Sequence, residues 1–215
     1  PAVAFVSDSS RRLIEPYLTW DAERVDCLNY VDADKFQHGF DADCEAYLFV
    51  GRLSPEKGCD LFCEAASRAG VDAIVIGDGT ELKRLSDSYP DIKFMGALSH
   101  DEVLSVMGRS RAIVIPSVCR ETFGLVAYEA MIAAGLPCIV SDVGDAASFV
   151  RSKGLGEIFS AGSSESLSDA MVNMLDPDVC SRYRKAVEKA DFSCLEKTAY
   201  VERLISIYDQ LIAEH

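Results

Sequence analysis

Residues 113–137 read Ile113-Val-Ile-Pro-Ser-Val-Cys-Arg-Glu-Thr-Phe-Gly-Leu-Val-Ala-Tyr-Glu-Ala-Met-Ile-Ala-Ala-Gly-Leu-Pro137. The apolar run up to Pro116 predicts a buried strand, and a short loop follows. Phe123-Gly124-Leu125 opens a helix that Gly135 and Pro137 stop, and Cys138–Ser141 then reads as the next strand. The same alternation extends in both directions. Strands are expected at Tyr47–Gly51, Ala73–Gly77, Ile92–Gly96, Ala112–Pro116, Cys138–Ser141 and Gly156–Phe159. Helices are expected between and after them, at Cys59–Ala69, Glu81–Ser88, Asp101–Arg109, Gly124–Ala134, Asp145–Val150 and Ser164–Leu175. Ser99-His-Asp-Glu102 is a capping box that fixes one helix start. This βαβα order predicts an α/β fold with a Rossmann-like, doubly wound parallel sheet.

The ends read differently. Residues 2–6 suggest a strand, 9–18 a helix and 25–31 another strand, followed by a polar, irregular linker over 32–43. At the other end 178–190 and 194–213 read as helices. Three units follow: 1–44, a terminal fragment with its linker; 45–190, the main domain; and 191–215, a closing helix.

Composition excludes several functions. The chain has 215 residues, 49% of them hydrophobic, enough for a large core. Its net charge of −14 repels nucleic acid and anionic lipid, so any phosphate site must be a local cationic pocket. No membrane-spanning run and no signal segment are visible. Eight scattered cysteines with no C-x-x-C pattern read as reduced, buried thiols, which points to the cytoplasm. With three histidines and no cluster at ligand spacing, no metal site is expected. Trp20, the single tryptophan, is expected to pack.

Candidate chemistry centres on two glutamates. Glu121 sits in the loop before the helix, and Glu129 roughly 7 Å below the helix mouth at ~1.5 Å per residue. Spacing alone carries little, since Glu15/Glu23, Glu56/Glu64, Glu157/Glu165 and Glu188/Glu196 are also eight apart. What distinguishes Glu121 and Glu129 is that they flank a helix N-terminus. There the backbone amides of Phe123, Gly124 and Leu125 and the positive dipole end attract an anion. Upstream, Gly51-Arg52-Leu-Ser-Pro-Glu-Lys57-Gly58 follows a strand and offers two cations at the sheet edge where such folds bind ligands. Glutamates for hydroxyls, beside cations and amides for phosphate, suggest a nucleotide-sugar site. Gly77 in Gly77-Asp-Gly79, and Ala97 and Leu98 in Gly96-Ala-Leu-Ser99, are further candidate contacts whose backbone could touch the nucleotide. An ordinary βα turn explains both segments equally well. His100 reads as a surface residue at a helix start. Cys119 and Arg120 border the site.

Taken together, the motifs resemble the retaining GT-B glycosyltransferases of glycosyltransferase group 1 (family 4). The matching segments are Asn29-Tyr-Val-Asp-Ala-Asp-Lys-Phe36, Val50–Gly58, Ile76-Gly-Asp-Gly79 and Phe94-Met-Gly96. Pro116-Ser through Glu121-Thr-Phe-Gly to Glu129-Ala-Met131, and Gly135–Gly144, complete the set. The resemblance implies that 45–190 is the C-terminal, nucleotide-sugar-binding half of a GT-B fold, with fragments of the N-terminal domain at the termini. It implies Arg52 and Lys57 at the donor diphosphate, Glu121 at the donor-sugar hydroxyls with the Phe123, Gly124 and Leu125 amides nearby, and Glu129 at the ribose. It implies transfer with retention and no metal or other cofactor, the nucleotide-diphosphate-sugar being a substrate.

A saccharide or lipid-linked saccharide acceptor would bind through an N-terminal domain that this chain lacks. The chain is therefore expected to be truncated and inactive alone, cytoplasmic or membrane-peripheral, with any membrane contact made outside this acidic half. Tyr30 stands where the family usually has glycine, and so does Asp145 after Gly144. Two other readings remain open: a nucleotide-sugar epimerase of GT-B-like fold and a non-catalytic nucleotide-sugar sensor.

Overall fold

A computed structural model describes residues 2–32, 46–121 and 123–213. Most of the expected linker, with Lys35, Phe36 and Cys44, lies outside the described residues, as do Thr122 and the last two residues. At its centre are six short strands: β3 (Tyr47–Val50), β4 (Ala73–Ile76), β5 (Lys93–Phe94), β6 (Ala112–Ile115), β7 (Cys138–Ser141) and β8 (Gly156–Phe159). All pair in parallel in the order β5-β4-β3-β6-β7-β8. The doubly wound expectation holds.

Apolar residues fill both faces of this sheet because both are covered. Tyr47, Phe49, Ala73, Val75, Ala112, Val114 and Ile139 point to one face. There they meet α2 (Cys59–Ala69), α3 (Leu82–Ser88) and α7 (Ser164–Asn173). The alternate residues Leu48, Ile76, Ile113, Cys138 and Val140 point to the other face, against α4 (His100–Met107), α5 (Leu125–Ala134) and α6 (Asp145–Lys153). The period of two that sorts side chains between faces is that of the pleat. Tyr47 carries the one hydroxyl of β3 into the core, where it donates to the carbonyl of Met171 at 2.6 Å.

Several boundaries differ from expectation. β5 is two residues long, although Met95 N still donates to Val75 O; as an edge strand it has one partner to hold it. α6 runs three residues past Val150, until Gly154 ends it with φ +65°. The first terminal strand is β1 (Ala2–Phe5), and the second, β2, is Glu23–Asp26 and not 25–31. These two form a separate parallel pair, with α1 (Asp8–Ile14) between them. After β2 the chain runs extended, bonded through Cys27 N to Phe5 O and through Val31 N to Leu195 O. α8 (Pro177–Lys189) and α9 (Lys197–Ala213) follow.

Trp20 does not pack; it is 53% exposed. Cys27, Cys59, Cys63, Cys138 and Cys180 are buried free thiols, whereas Cys119 is half-buried and Cys194 exposed. Among the described residues no helix is long and apolar enough to cross a membrane.

Candidate functional site

The sheet order places β3 beside β6, and the chain leaves these neighbours toward opposite faces. After β3 it enters α2, packed on one face; after β6 it enters α5, on the other. Diverging loops leave a crevice at the carboxyl edge, the usual ligand position in such sheets. A cleft of about 600 Å3 lies there. Of the expected site residues, Gly51, Arg52, Lys57, Glu121, Phe123, Gly124 and Leu125 line it. Gly77, Ala97, Leu98 and Glu129 are not part of its wall. Three cationic and two anionic side chains face the cleft, so it is locally cationic in a strongly acidic chain.

Backbone constraints bring the two central loops together. Residues 55–57 form a 3-10 turn that ends at Gly58, with φ +69°. A Cβ there would lie 2.1 Å from the Pro116 carbonyl oxygen. Only glycine permits both that φ and that approach. Val118 N then donates to Glu56 O at 3.0 Å, closing the seam.

The seam carries the side chains into contact. Lys57 Nζ stands 2.5 Å from Glu121 Oε1, and Ser117 Oγ donates to the same oxygen at 2.6 Å. Glu121 is 18% exposed at its side chain and Lys57 32%, so solvent screens the pair only in part. Arg52 is exposed and has no ion-pair partner among the described residues. Glu56, also on the cleft, accepts from Ser54 Oγ at 2.7 Å, and that bond holds its carboxyl below the ordinary range.

At the mouth of α5, Gly124 adopts φ +77° and supplies no side-chain cap. The first amides of a ten-residue helix are therefore left to whatever occupies the cleft. α5 is apolar on every side except at Glu129, its one charged residue. Burial raises the Glu129 carboxyl above its ordinary pKa, with His100 at the start of α4 acting in the opposite direction. Phe123 stacks on buried Tyr128 at 4.7 Å, and Tyr128 meets Phe149 edge-on, which fixes the helix mouth to α6. Asp145, the first residue of α6, accepts from Ser9 N at 3.1 Å and ties α1 to this side of the domain.

Gly77 abuts Gly51, where a Cβ would be 1.8 Å from the Gly51 oxygen, so it shapes the rim of the cleft from outside. Asn29 and Ser117 line the cleft without having been singled out by sequence. Both fall inside family-like segments, but nothing in their local pattern marks a direction for their side chains.

A doubly wound parallel sheet with a locally cationic cleft at its switch point defines a Rossmann-like ligand-binding domain. The sequence profile described as "Glycosyl transferases group 1" matches residues 31–191, and the chain belongs to that family. It is 30% identical over 207 residues to a phosphatidyl-myo-inositol mannosyltransferase of Mycobacterium leprae, covering 87% of this chain and 54% of that protein. It is 29% identical to a D-inositol 3-phosphate glycosyltransferase of Mycobacteroides abscessus, covering 91% of this chain and 48% of the relative. The chain thus spans about half the length of these relatives.

Among solved structures, sucrose-phosphate synthase from Thermosynechococcus elongatus matches all of this chain with a TM-score of 0.83 at 21% identity, over 59% of its own chain. The Anabaena protein HepE, in complex with UDP and glucose, matches 99% of this chain with a TM-score of 0.78 at 18% identity, over 63% of its own. At such identities the likeness is one of fold.

Proposed function

We propose that this chain is the donor-binding half of a retaining glycosyltransferase, transferring a sugar from a nucleotide-diphosphate donor. One observation carries the reading: two cations, an uncapped helix mouth and a carboxylate with one oxygen unbonded among the described residues converge in a single cleft at the switch point. A diphosphate needs positive charge, and Arg52, Lys57 and the amides at Phe123, Gly124 and Leu125 supply it. A sugar offers hydroxyl donors, and Glu121 accepts them. As the glycosidic bond to the diphosphate breaks, negative charge grows on the leaving oxygen. Groups already aimed there stabilise that charge more than the ground state. Glu121 orients the sugar. Glu129 and the backbone at Gly77, Ala97 and Leu98 would meet the nucleoside, beyond the wall of the present cleft. The protein cations fill the role a metal has in other transferases, so donor binding is expected to survive chelation. The acceptor, a saccharide or lipid-linked saccharide, is assigned to the rest of the longer protein. The relatives named above are transferases, which supports this reading over an epimerase or a sensor.

Calorimetric titration with UDP, GDP, ADP and their glucose and mannose conjugates, with and without EDTA, tests the proposal. Binding of at least one conjugate, unchanged by EDTA and abolished by Arg52→Glu, is expected. Binding that needs a divalent ion, or none across the panel in a chain that includes the remaining domain, overturns it.

A further inference from the structure

We propose that Ser117 is the positioning residue for Glu121, with Ser141 behind it, and that this buried serine pair leaves one carboxylate oxygen, Oε2, facing the donor sugar. The inference rests on the donor-binding reading above.

The geometry is asymmetric. Oε1 of Glu121 receives two donors, Lys57 Nζ at 2.5 Å and Ser117 Oγ at 2.6 Å. Oε2 has no hydrogen-bond partner among the described residues, and it lies where a Cβ on Gly124 would approach to 3.3 Å. Gly124 lines the cleft. One oxygen is thus saturated by protein, and the other, with two lone pairs, is turned to the cleft.

The two donors on Oε1 are not equivalent. Lysine is a point charge on a flexible stem and sets no plane for the carboxylate. A diphosphate entering the cleft would compete for that same ammonium. Ser117 is different. It is 3% exposed, at the carboxyl end of β6, and its own carbonyl accepts from Ser141 Oγ at 2.7 Å. Ser141, also 3% exposed, is the last residue of β7. The hydroxyl that holds Glu121 is therefore anchored to two adjacent strands, and it stays in place when Lys57 turns to phosphate. Gly144, at φ +116°, lies beside the Glu121 backbone, where a Cβ would stand 3.5 Å away, at ordinary contact distance.

Three variants test this: Ser117→Ala, Ser117→Thr and Glu121→Gln, each titrated with UDP, UDP-glucose, UDP-galactose, GDP and GDP-mannose. Ser117→Ala is expected to weaken the best-bound conjugate about fivefold to tenfold, the size of one ordinary hydrogen bond, because Ser117 acts on the sugar only through Glu121. The matching nucleoside diphosphate should change less than twofold, because Lys57 and Arg52 are untouched. Ser117→Thr keeps the oxygen and should stay within threefold of the parent. Parallel loss of diphosphate and conjugate in Ser117→Ala overturns the proposal, as does a threonine variant that falls as far as the alanine.

Glu121→Gln separates this inference from the functional reading. It frees Lys57, so the diphosphate should bind tighter while sugar discrimination disappears. Discrimination that survives Glu121→Gln sinks the role of Glu121 itself, whatever Ser117 does. Thermal unfolding of Ser117→Ala combined with Glu121→Ala, which removes the acceptor oxygen, reads the bond without any ligand. The double variant should lose no more Tm than the larger single one, and fully additive losses overturn the contact.

Discussion

The loop that carries Glu121 and the helix that carries Glu129 lie eight residues apart and treat the same side chain in opposite ways. Glu121 is met by an ammonium and a hydroxyl on one oxygen. Glu129 makes no hydrogen bond among the described residues, and burial pushes its pKa up. The difference comes from the backbone. At the carboxyl edge, loops from non-adjacent segments meet, and Gly58 lets them close enough for donors to converge. In an otherwise apolar helix, desolvation dominates and raises the carboxyl, with only His100 opposing it. Charge in the loop is held against charge; charge in the helix is kept at a cost to stability.

The sharpest way to break this contrast is Lys57→Glu. It replaces an attraction at the cleft by a repulsion and sets two carboxylates against each other. Roughly a hundredfold loss of UDP or GDP affinity is expected in calorimetry at 0.15 M salt, about 3 kcal/mol. Glu129→Ala should lose far less affinity for the same diphosphate. Equal losses would mean that the two regions do not divide the ligand as argued.

Next in size is the seam itself. Gly58 and Gly70 have nearly the same backbone, φ +69° and +66°, but a Cβ at Gly70 meets nothing within 4 Å. Alanine at either position carries the left-handed penalty of about 1–2 kcal/mol. Gly58→Ala also collides with the Pro116 carbonyl, so its Tm should fall at least twice as far as that of Gly70→Ala. Each kcal/mol is worth about 2–4 °C at this size. Equal shifts would show that the β3 and β6 loops yield freely.

Much of this molecule was legible in its residues. Alternating apolar runs marked all six strands of the sheet, and Ser99 with Glu102 forms the reciprocal cap expected of them. Arg52, Lys57 and Glu121 followed from being placed after strands, because that edge is where this topology opens. What periodicity cannot supply is pairing. Lys57 and Glu121 meet across 64 positions, and Ser9 meets Asp145 across 136. Such contacts depend on strand order and on how closely two glycine-bearing turns approach. Glu129 lies in the expected helix, yet outside the wall of the cleft, because periodicity does not say which way a helix face turns toward a neighbouring loop. Trp20 failed as a packing residue for a plainer reason: an apolar ring says what would be favourable to bury, not what neighbours are present to bury it.

A smaller effect sharpens the helix side. Burial holds the Glu129 carboxyl above its ordinary range, so the folded chain keeps that proton to higher pH than the unfolded chain does. Stability from this group therefore falls as pH rises from about 4.3, the unfolded value, through the raised folded value, and the full penalty applies above it. Glu129→Gln removes the penalty. Its Tm should exceed that of the parent at pH 7, and the gain should vanish below about pH 4. A gain that persists there would assign it to packing.

Glu56 is the third glutamate of this neighbourhood and gives the smallest effect. It lines the cleft and adjoins Lys57, so proximity alone would make it an obstacle to a diphosphate. Yet it is fully exposed, and Ser54 Oγ holds its carboxylate at 2.7 Å. Water and salt screen such a charge, unlike Glu121, whose partners lie in the seam. Glu56→Gln should tighten UDP or GDP by no more than about twofold at low ionic strength, and not at all at 0.5 M salt, where the Debye length is about 4 Å. A change as large as that of Lys57→Glu, or one that salt does not remove, would show that net charge near the cleft governs binding and not the paired geometry of Lys57 and Glu121.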